Sequence, residues 1–310
     1  MILVAIPAVA LALISLSAFL GGWVWWLDVL ANFRAQYAVT LAALGVIVAT
    51  SRWRRLGYAV LAVAAVNLAV VLPLFLGSPA ETSLENPEMR VLSFNLLSTN
   101  ELYSEVIDYI EAVDPDIVLL HEASRPWEVA IESAGLPYQV IRPRSDDLIF
   151  GSLVLVRGGD VRAVSHGFAM ANPRAVEIVF TPPGWETLVA VLGTHPLAPT
   201  DRERAGLRDS QLRFARDWAM GQEGAFIIVG DFNATPWSSP FRELMGAGGM
   251  LNSQIGFGLQ PSFPVESNLL LRVPIDHLVH SGSLEVTDRR LGPALGSDHF
   301  PLVVDLQLAR

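Results

Sequence analysis

Residues able to ligate a cation or move a proton recur in this chain where short apolar runs end. Asn95 and Glu122 stand near the ends of the runs 90–97 and 116–122. His195 follows Val191-Leu192-Gly193-Thr194, and Gly230-Asp231-Phe232-Asn233 follows Ala225-Phe226-Ile227-Ile228-Val229. Asp276 lies within Pro274-Ile275-Asp276-His277-Leu278-Val279, and Ser297-Asp298-His299 precedes the last apolar run. If these runs are strands, their ends meet on one rim and the groups share one cleft. Carboxylates, amides and histidines, in a chain with no cysteine and no lysine, suit a hard, oxygen-liganded cation such as Mg2+, with Mn2+ as the alternative.

Each residue also has a plainer reading. Asp231 and Asn233 could cap a turn, and Asn95 could mark a strand-to-turn boundary, because these residue types favour such positions. Glu122 could be an ordinary strand-end carboxylate, and His195, before Pro196, a loop residue. The ordered set, rather than any single member, favours a site. His121, His166, His277 and His280 are read as structural or solvent-facing. Asp147 is the candidate to orient His195, from its place before the run 151–157.

The elements that must position these groups follow from the apolar pattern. Arg90–Leu97 reads as a strand with Val91, Ser93 and Asn95 on one face. Asp116–Glu122 reads as another, with Val118, Leu120 and Glu122 opposite Ile117, Leu119 and His121. Further strands are expected at 152–157, 175–181, 187–194, 225–230, 273–280 and 301–306. Ser98-Thr99-Asn100-Glu101 has capping-box spacing ahead of the helical stripe Leu102, Val106, Ile110 and Val113, which Asp114-Pro115 ends. Asp201–Met220 reads as a helix with Leu207, Phe214 and Trp218 on one face. Many strands with few helices predict an α/β protein built as a two-sheet sandwich flanked by helices, not a doubly wound parallel sheet.

The ordered set Asn95, Glu122, His195, Gly230-Asp231-Phe232-Asn233, Ile275-Asp276-His277 and Ser297-Asp298-His299 resembles the endonuclease/exonuclease/phosphatase superfamily, in order and approximate spacing, over about 220 residues. The resemblance implies a deoxyribonuclease I-like fold and a metal-dependent hydrolase of phosphate esters. It implies Glu122 as principal metal ligand, with Asn95 and Asp298 close to metal or phosphate. Asp231 would orient or deprotonate the attacking water, and Asn233 would donate to a phosphate oxygen. Asp276 would fix His299, which would stabilise the phosphoryl group or exchange protons with it, and His195 would face the phosphate or assist the leaving group. His277 stands where the family often has an aromatic residue or arginine. The chemistry accounts for the same residue types: an anionic ester resists nucleophiles, so it calls for a cation, a carboxylate beside the water and fixed donors near the developing charge.

Composition adds a second part to the chain. It is 52% hydrophobic and 17% charged, with a mean hydropathy of +0.42, which indicates membrane sequence. The apolar excess lies before residue 81, where the only charged side chains are Asp28, Arg34, Arg52, Arg54 and Arg55. Residues 1–77 are read as a membrane domain with about three transmembrane helices, at Ile2–Leu20, Ala35–Thr50 and Gly57–Gly77. Trp23, Trp25 and Trp26 suit the interface. Residues 78–89 are read as a linker and 90–310 as the catalytic domain. A cleaved signal peptide ranks second, lacking a basic leading region and a clear cleavage site; buried helices of a soluble core rank below it. The basic cluster Ser51-Arg52-Trp53-Arg54-Arg55 predicts a cytoplasmic turn, hence an integral membrane protein with an extracytoplasmic catalytic domain.

Taking Asp28 from the 31 acidic residues, and those four arginines from the 21 basic ones, leaves 30 and 17, a formal charge of −13 for the rest of the chain. Nucleic-acid binding usually draws on a basic surface, so a tethered nuclease is disfavoured, although Arg202, Arg204 and Arg208 could form a local patch. Membrane attachment through residues 1–77 favours a phosphate ester at the bilayer, such as a lipid head group. A catalytically silent binding or scaffold protein on the same fold is the third reading.

Overall fold

Alternating apolar side chains along the short runs form two six-stranded sheets packed face to face in a computed structural model that describes residues 2–83, 86–142, 151–168, 171–246 and 248–309. The first sheet contains β1 (Met89–Asn95), β2 (Ile117–His121), β3 (Gln139–Ile141), β4 (Ser152–Val156), β11 (Leu284–Leu291) and β12 (Leu302–Leu308), in the order β11-β12-β1-β2-β4-β3. The second contains β5 (Arg162–Phe168), β6 (Ala171–Phe180), β7 (Val189–Thr194), β8 (Ala225–Asp231), β9 (Met250–Asn252) and β10 (Asp276–Ser281), in the order β5-β6-β7-β8-β10-β9. Val91, Leu119, Val154, Ile178, Ile227, Leu278 and Val304 meet between the sheets. The opposite face of the first sheet is covered by α5 (Tyr103–Val113) and α6 (Arg125–Ser133) through Ile110, Trp127 and Ile131. That of the second is covered by α7 (Arg202–Met220) and α8 (Ser239–Met245) through Leu212, Ala215 and Phe241. This is the expected helix-flanked sandwich.

Two local expectations change. The Ser98–Glu101 box does not start a helix. Leu97 adopts a φ of 59°, and Asn100 organises the turn instead, accepting from Leu102 N at 3.0 Å and donating to Leu295 O at 2.8 Å, so α5 begins at Tyr103. Strands β3, β5, β9 and β11 are additions to those expected; in β11, Leu284-Glu285-Val286-Thr287-Asp288-Arg289-Arg290-Leu291 is an edge strand carrying four charges and a register shift, which obscure its alternation.

The N-terminal part is a small helical layer of α1 (Ile2–Ser17), α2 (Trp25–Ala31), α3 (Arg34–Ala49) and α4 (Arg54–Val71). Two stretches, Ile2–Leu20 and Arg54–Phe75, are long and apolar enough to cross a membrane. The second predicted run, at Ala35–Thr50, is the helix α3, which is not among these two by itself; α2 and α3 meet at 66°, and together they would make a third span. Gly57 permits the close approach of α3 and α4, since a Cβ there would lie 2.3 Å from Ala49 N. A buried polar knot ties three helices, with Arg34 donating to Ser15 O (2.8 Å) and to Asn67 Oδ1 (3.0 Å) and Asn67 donating to Ser15 Oγ (2.6 Å).

One end of this layer rests on the sandwich. Asn32 Oδ1 accepts from Thr235 Oγ1 at 3.0 Å, Gln36 donates to Arg272 O at 3.0 Å, and Leu74 O accepts from Gly256 and Gly258. The basic turn at 50–53 joins the other ends of α3 and α4, roughly 24 Å away along a helix of that length. Three residues of the stretch before β1 are pinned along the first sheet, with Ala80 N on Val286 O (2.9 Å) and Gln307 bonded to Ser83 and Asn86.

Candidate active site

Topology brings the polar residues to one rim. β1 and β2 run parallel, as do β7 and β8, so Asn95, Glu122, His195 and Asp231 all sit at carboxyl ends. β10 runs antiparallel to β8 with Asp276 opposite Asp231. β12 runs antiparallel to β1 with Leu302 opposite Ser93, which places the preceding Asp298 and His299 at the same end.

Strict alternation would point Glu122 toward the helices with Val118 and Leu120. A φ of 56° at Glu122 breaks the alternation, and its Oε1 lies 3.3 Å from Asn95 Nδ2 on the inter-sheet side. Such a left-handed carboxylate costs on the order of 1 kcal/mol or more and persists where surrounding contacts impose it; here the backbone N–H of Ser98 donates to Glu122 Oε2 at 3.3 Å. Gly230 serves the neighbouring strand. Its φ is 145°, and a Cβ would fall 2.0 Å from Thr194 O, so only glycine lets β8 deliver Asp231 this close to β7.

Asp231 is the hub. It is almost completely buried and accepts from Asn95 Nδ2 (3.2 Å) and from the backbone and side-chain nitrogens of Asn233 (2.9 and 3.3 Å). His195 Nε2 lies 3.5 Å from Asp231 Oδ2 and 3.9 Å from Glu122 Oε1. His299 stands between two carboxylates, Nδ1 on Asp276 Oδ2 at 2.8 Å and Nε2 3.6 Å from Asp231 Oδ2. Asp298 is half-buried, within electrostatic reach of Glu122 and Asp231.

The charges divide accordingly. Burial disfavours the His299 imidazolium, but Asp276 and Asp231 outweigh it and push the ring up to about 10. Burial also disfavours an ionised Asp231, yet His299 and His195 hold its carboxyl well below the usual range. Burial raises Asp298, with Glu122 and Asp231 adding to the shift against the pull of His299.

Glu122, Asp231 and Asp298 thus face one cleft, and among the described residues no arginine pairs with any of them. This all-oxygen donor set fits a hard divalent cation. Asp231, Asp276 and His299 form a second grouping with ligand atoms within 4.8 Å of one another, but the bond between His299 and Asp276 makes that trio a proton-holding unit first. Two proposed groups are oriented differently from what the resemblance implies. Asn95 turns its amide nitrogen to the carboxylates while its oxygen accepts from Leu97 N at 3.1 Å, so ligation through oxygen would require the amide to turn over. Both amide hydrogens of Asn233 are used within the protein, on Pro196 O (3.0 Å) and Asp231, which makes it a buttress of Asp231.

Two other participants, Arg289 and Phe263, carried no sequence signal. Arg289 is buried beneath Asp276, donating to its carbonyl at 3.1 Å and to Ser253 Oγ at 3.2 Å. Phe263 packs on His299 with ring centres 4.7 Å apart. Ser297 Oγ donates to Asn95 O at 2.6 Å and accepts from His299 N at 3.0 Å, which fixes the approach to the last strand. His121, left without a role, is buried with its ring 5.5 Å from His195, and burial holds it neutral, down to about 3. Arg208 does not join Arg202 and Arg204 in a surface patch; it is buried against Asp28 at 2.8 Å. Asp147 lies outside the described residues.

No curated protein matches the chain as a relative. Solved structures do share its fold. D. rerio TDP2 complexed with single-strand DNA product superposes with a TM-score of 0.60 at 14% identity, covering 71% of this chain and 99% of that one. An endonuclease/exonuclease/phosphatase family protein from Bacteroides thetaiotaomicron gives 0.55 at 18% identity, covering 73% and 97%. The human Nocturnin catalytic domain with bound sulfate anion gives 0.54 at 19%, covering 76% and 99%. The family model described as Endonuclease/Exonuclease/phosphatase family matches residues 92–299, a span running from the fourth residue of β1 to His299. The chain therefore belongs to the endonuclease/exonuclease/phosphatase family and is a phosphoric ester hydrolase.

Proposed function

We infer that this hydrolase uses Mg2+, with Mn2+ as a substitute, to cleave a phosphate ester at the outer surface of a membrane in which residues 1–77 are embedded. The single observation carrying the chemistry is the unbroken run of contacts from Asn95 and Glu122 through Asp231 to His195, His299 and Asp276. Glu122, Asp231 and Asp298 would hold the cation, which when bound neutralises the phosphoryl oxygens and polarises phosphorus.

The chain's own groups supply the rest. Asp231, fixed by Asn233 and kept ionised, orients the water and accepts its proton as oxygen attacks phosphorus. His299, held as imidazolium by Asp276, donates to a phosphoryl oxygen where charge develops. His195 delivers a proton to the departing ester oxygen as the P–O bond breaks. Asn95 keeps the two carboxylates in register.

Location rests on the helical layer. The basic turn at 50–53 and the sandwich lie at opposite ends of α3 and α4, which supports a cytoplasmic turn and an extracytoplasmic catalytic part. A tethered nuclease finds less support. The part after residue 80 is strongly acidic, and the local patch expected from Arg202, Arg204 and Arg208 loses Arg208 to burial.

The test is hydrolysis of bis(p-nitrophenyl) phosphate by the full chain in nanodiscs, with Mg2+ and after chelation. Cation-dependent release of nitrophenol supports the reading. Equal rates with and without chelator, or no release with any divalent cation, would refute it.

A further inference from the structure

A cavity of about 640 Å3 opens where α3 meets the loop between β9 and β10, within the size range of small-ligand sites. Leu11, Val39 and Thr40 line it from the helical layer, and Leu259, Pro261 and Pro274 from the sandwich. Trp237 closes the floor, four residues beyond Asn233. Polar groups at its edge are turned inward: Gln36 donates to Arg272 O, and the Arg272 guanidinium bonds Val265 O and Ser267 O and stacks over Phe300. The wall left for a ligand is apolar.

The cavity and the catalytic cleft share a partition. Pro261 lies two residues from Phe263, the ring against His299, and Pro274 lies two residues before Asp276. Either separation is at most about 7 Å of chain. Ser262 ties the partition together, accepting from Asp276 N at 3.3 Å, while its carbonyl accepts from Phe300 N. The cavity and the cleft are thus close enough together for a phosphate at one and an apolar chain at the other to belong to a single molecule that passes over this partition.

What covers this surface is indicated by its continuity with the helical layer. Leu269, Leu270 and Leu271 on the cavity lip are 64%, 65% and 58% exposed, and Val39 on α3 is 65% exposed. Three consecutive exposed leucines are costly in water. Beside an apolar helix that faces hydrocarbon, they are in their proper solvent. We propose that this cavity takes the hydrocarbon chain of the substrate, so that the ester hydrolysed is a single- or double-chain lipid phosphate drawn from the bilayer. The assignment rests on the phosphate-ester reading above and adds the substrate class.

The test is a series of p-nitrophenyl alkyl phosphates, from two to twelve carbons, assayed below their aggregation concentrations with the full chain in nanodiscs. At about fourfold per buried methylene as an upper bound, kcat/KM should rise at least tenfold between two and eight carbons. Val39→Trp and Leu270→Glu should bring the long-to-short ratio toward one, whereas Val46→Trp, on the same helix but outside the cavity, should keep it. A second measurement does not depend on turnover. A brominated long-chain alkyl phosphonate should quench emission from Trp237, and Trp237→Phe should remove that part of the quenching. Hydrolysis that is indifferent to chain length, or quenching unaffected by Trp237→Phe, overturns the lipid assignment while leaving the ester reading intact. Quenching without hydrolysis of any ester overturns the ester reading instead.

Discussion

Arg208 and Asp28, 180 residues apart in sequence, meet at 2.8 Å with both side chains almost fully buried. Arg208 belongs to α7 of the sandwich and also donates to Asn233 O at 3.3 Å, while Asp28 belongs to α2 and accepts from Ser239 N at 2.7 Å. The helical layer thus reaches, in two steps, the backbone of the loop that follows Asp231.

Removing one partner should therefore affect both stability and rate. Asp28→Asn leaves the guanidinium with Asp209 as its remaining carboxylate, so the cost should fall at the lower end of the range for a broken buried pair, about 3 kcal/mol. The detergent-solubilised variant should melt at a lower temperature and show reduced kcat. In Asp28→Asn/Arg208→Gln the combined loss should be smaller than the sum of the single losses; strict additivity would show that the pair is not coupled.

Asp231→Ala and His299→Ala should each lower kcat at least a hundredfold on an activated phosphodiester. Full-length protein and the same melting curve as wild type in the chelated state would assign the loss to chemistry. Unchanged turnover in both variants would end the assignment of roles.

Acid should weaken the fold through His277, which is completely buried, donates to Ala234 O at 2.8 Å and is pushed down to about 3 by burial, with Arg289 nearby adding to the shift. Above roughly pH 6.5 both folded and unfolded forms are neutral there. Below it the unfolded chain takes up a proton that the folded chain refuses, so stability falls by about 1.4 kcal/mol per pH unit until about pH 3. His277→Gln retains a donor for Ala234 O and should flatten the dependence of melting temperature on pH in that window. His299 works in the opposite sense: its contribution is complete below its unfolded value and is lost as pH rises through about 10.

A phosphatase reporter fused after Arg310, active only outside the cytoplasm, should give signal in intact cells. A fusion at Trp53, in the basic turn, should be silent. The reverse pattern would invert the orientation and change which esters the enzyme can meet.

Strands ending in chemistry were legible because a buried strand has a strong apolar pattern and a catalytic residue interrupts it, as at Asp231 after Ala225–Gly230. The two-sheet class followed from the number of such runs. Less was readable where tertiary contacts overrule local preference. Glu122 reaches the cleft through a left-handed backbone that no alternation rule anticipates, and Asn100 captures a turn that Ser98 and Glu101 are spaced to cap. Arg289 and Arg208 look like surface charges in sequence; only the partners delivered by β10 and α2 reveal them as buried supports.

Ala80, Ser83 and Asn86 are clipped to β11 and β12, so with residues 1–77 embedded as proposed, the catalytic part would be held close against its anchor. Its opening would then stay at a fixed height and face a fixed way. On the lipid-phosphate proposal, encounters would come from molecules gliding within one leaflet, and turnover in vesicles should follow the surface mole fraction of substrate while ignoring how far the whole suspension is diluted.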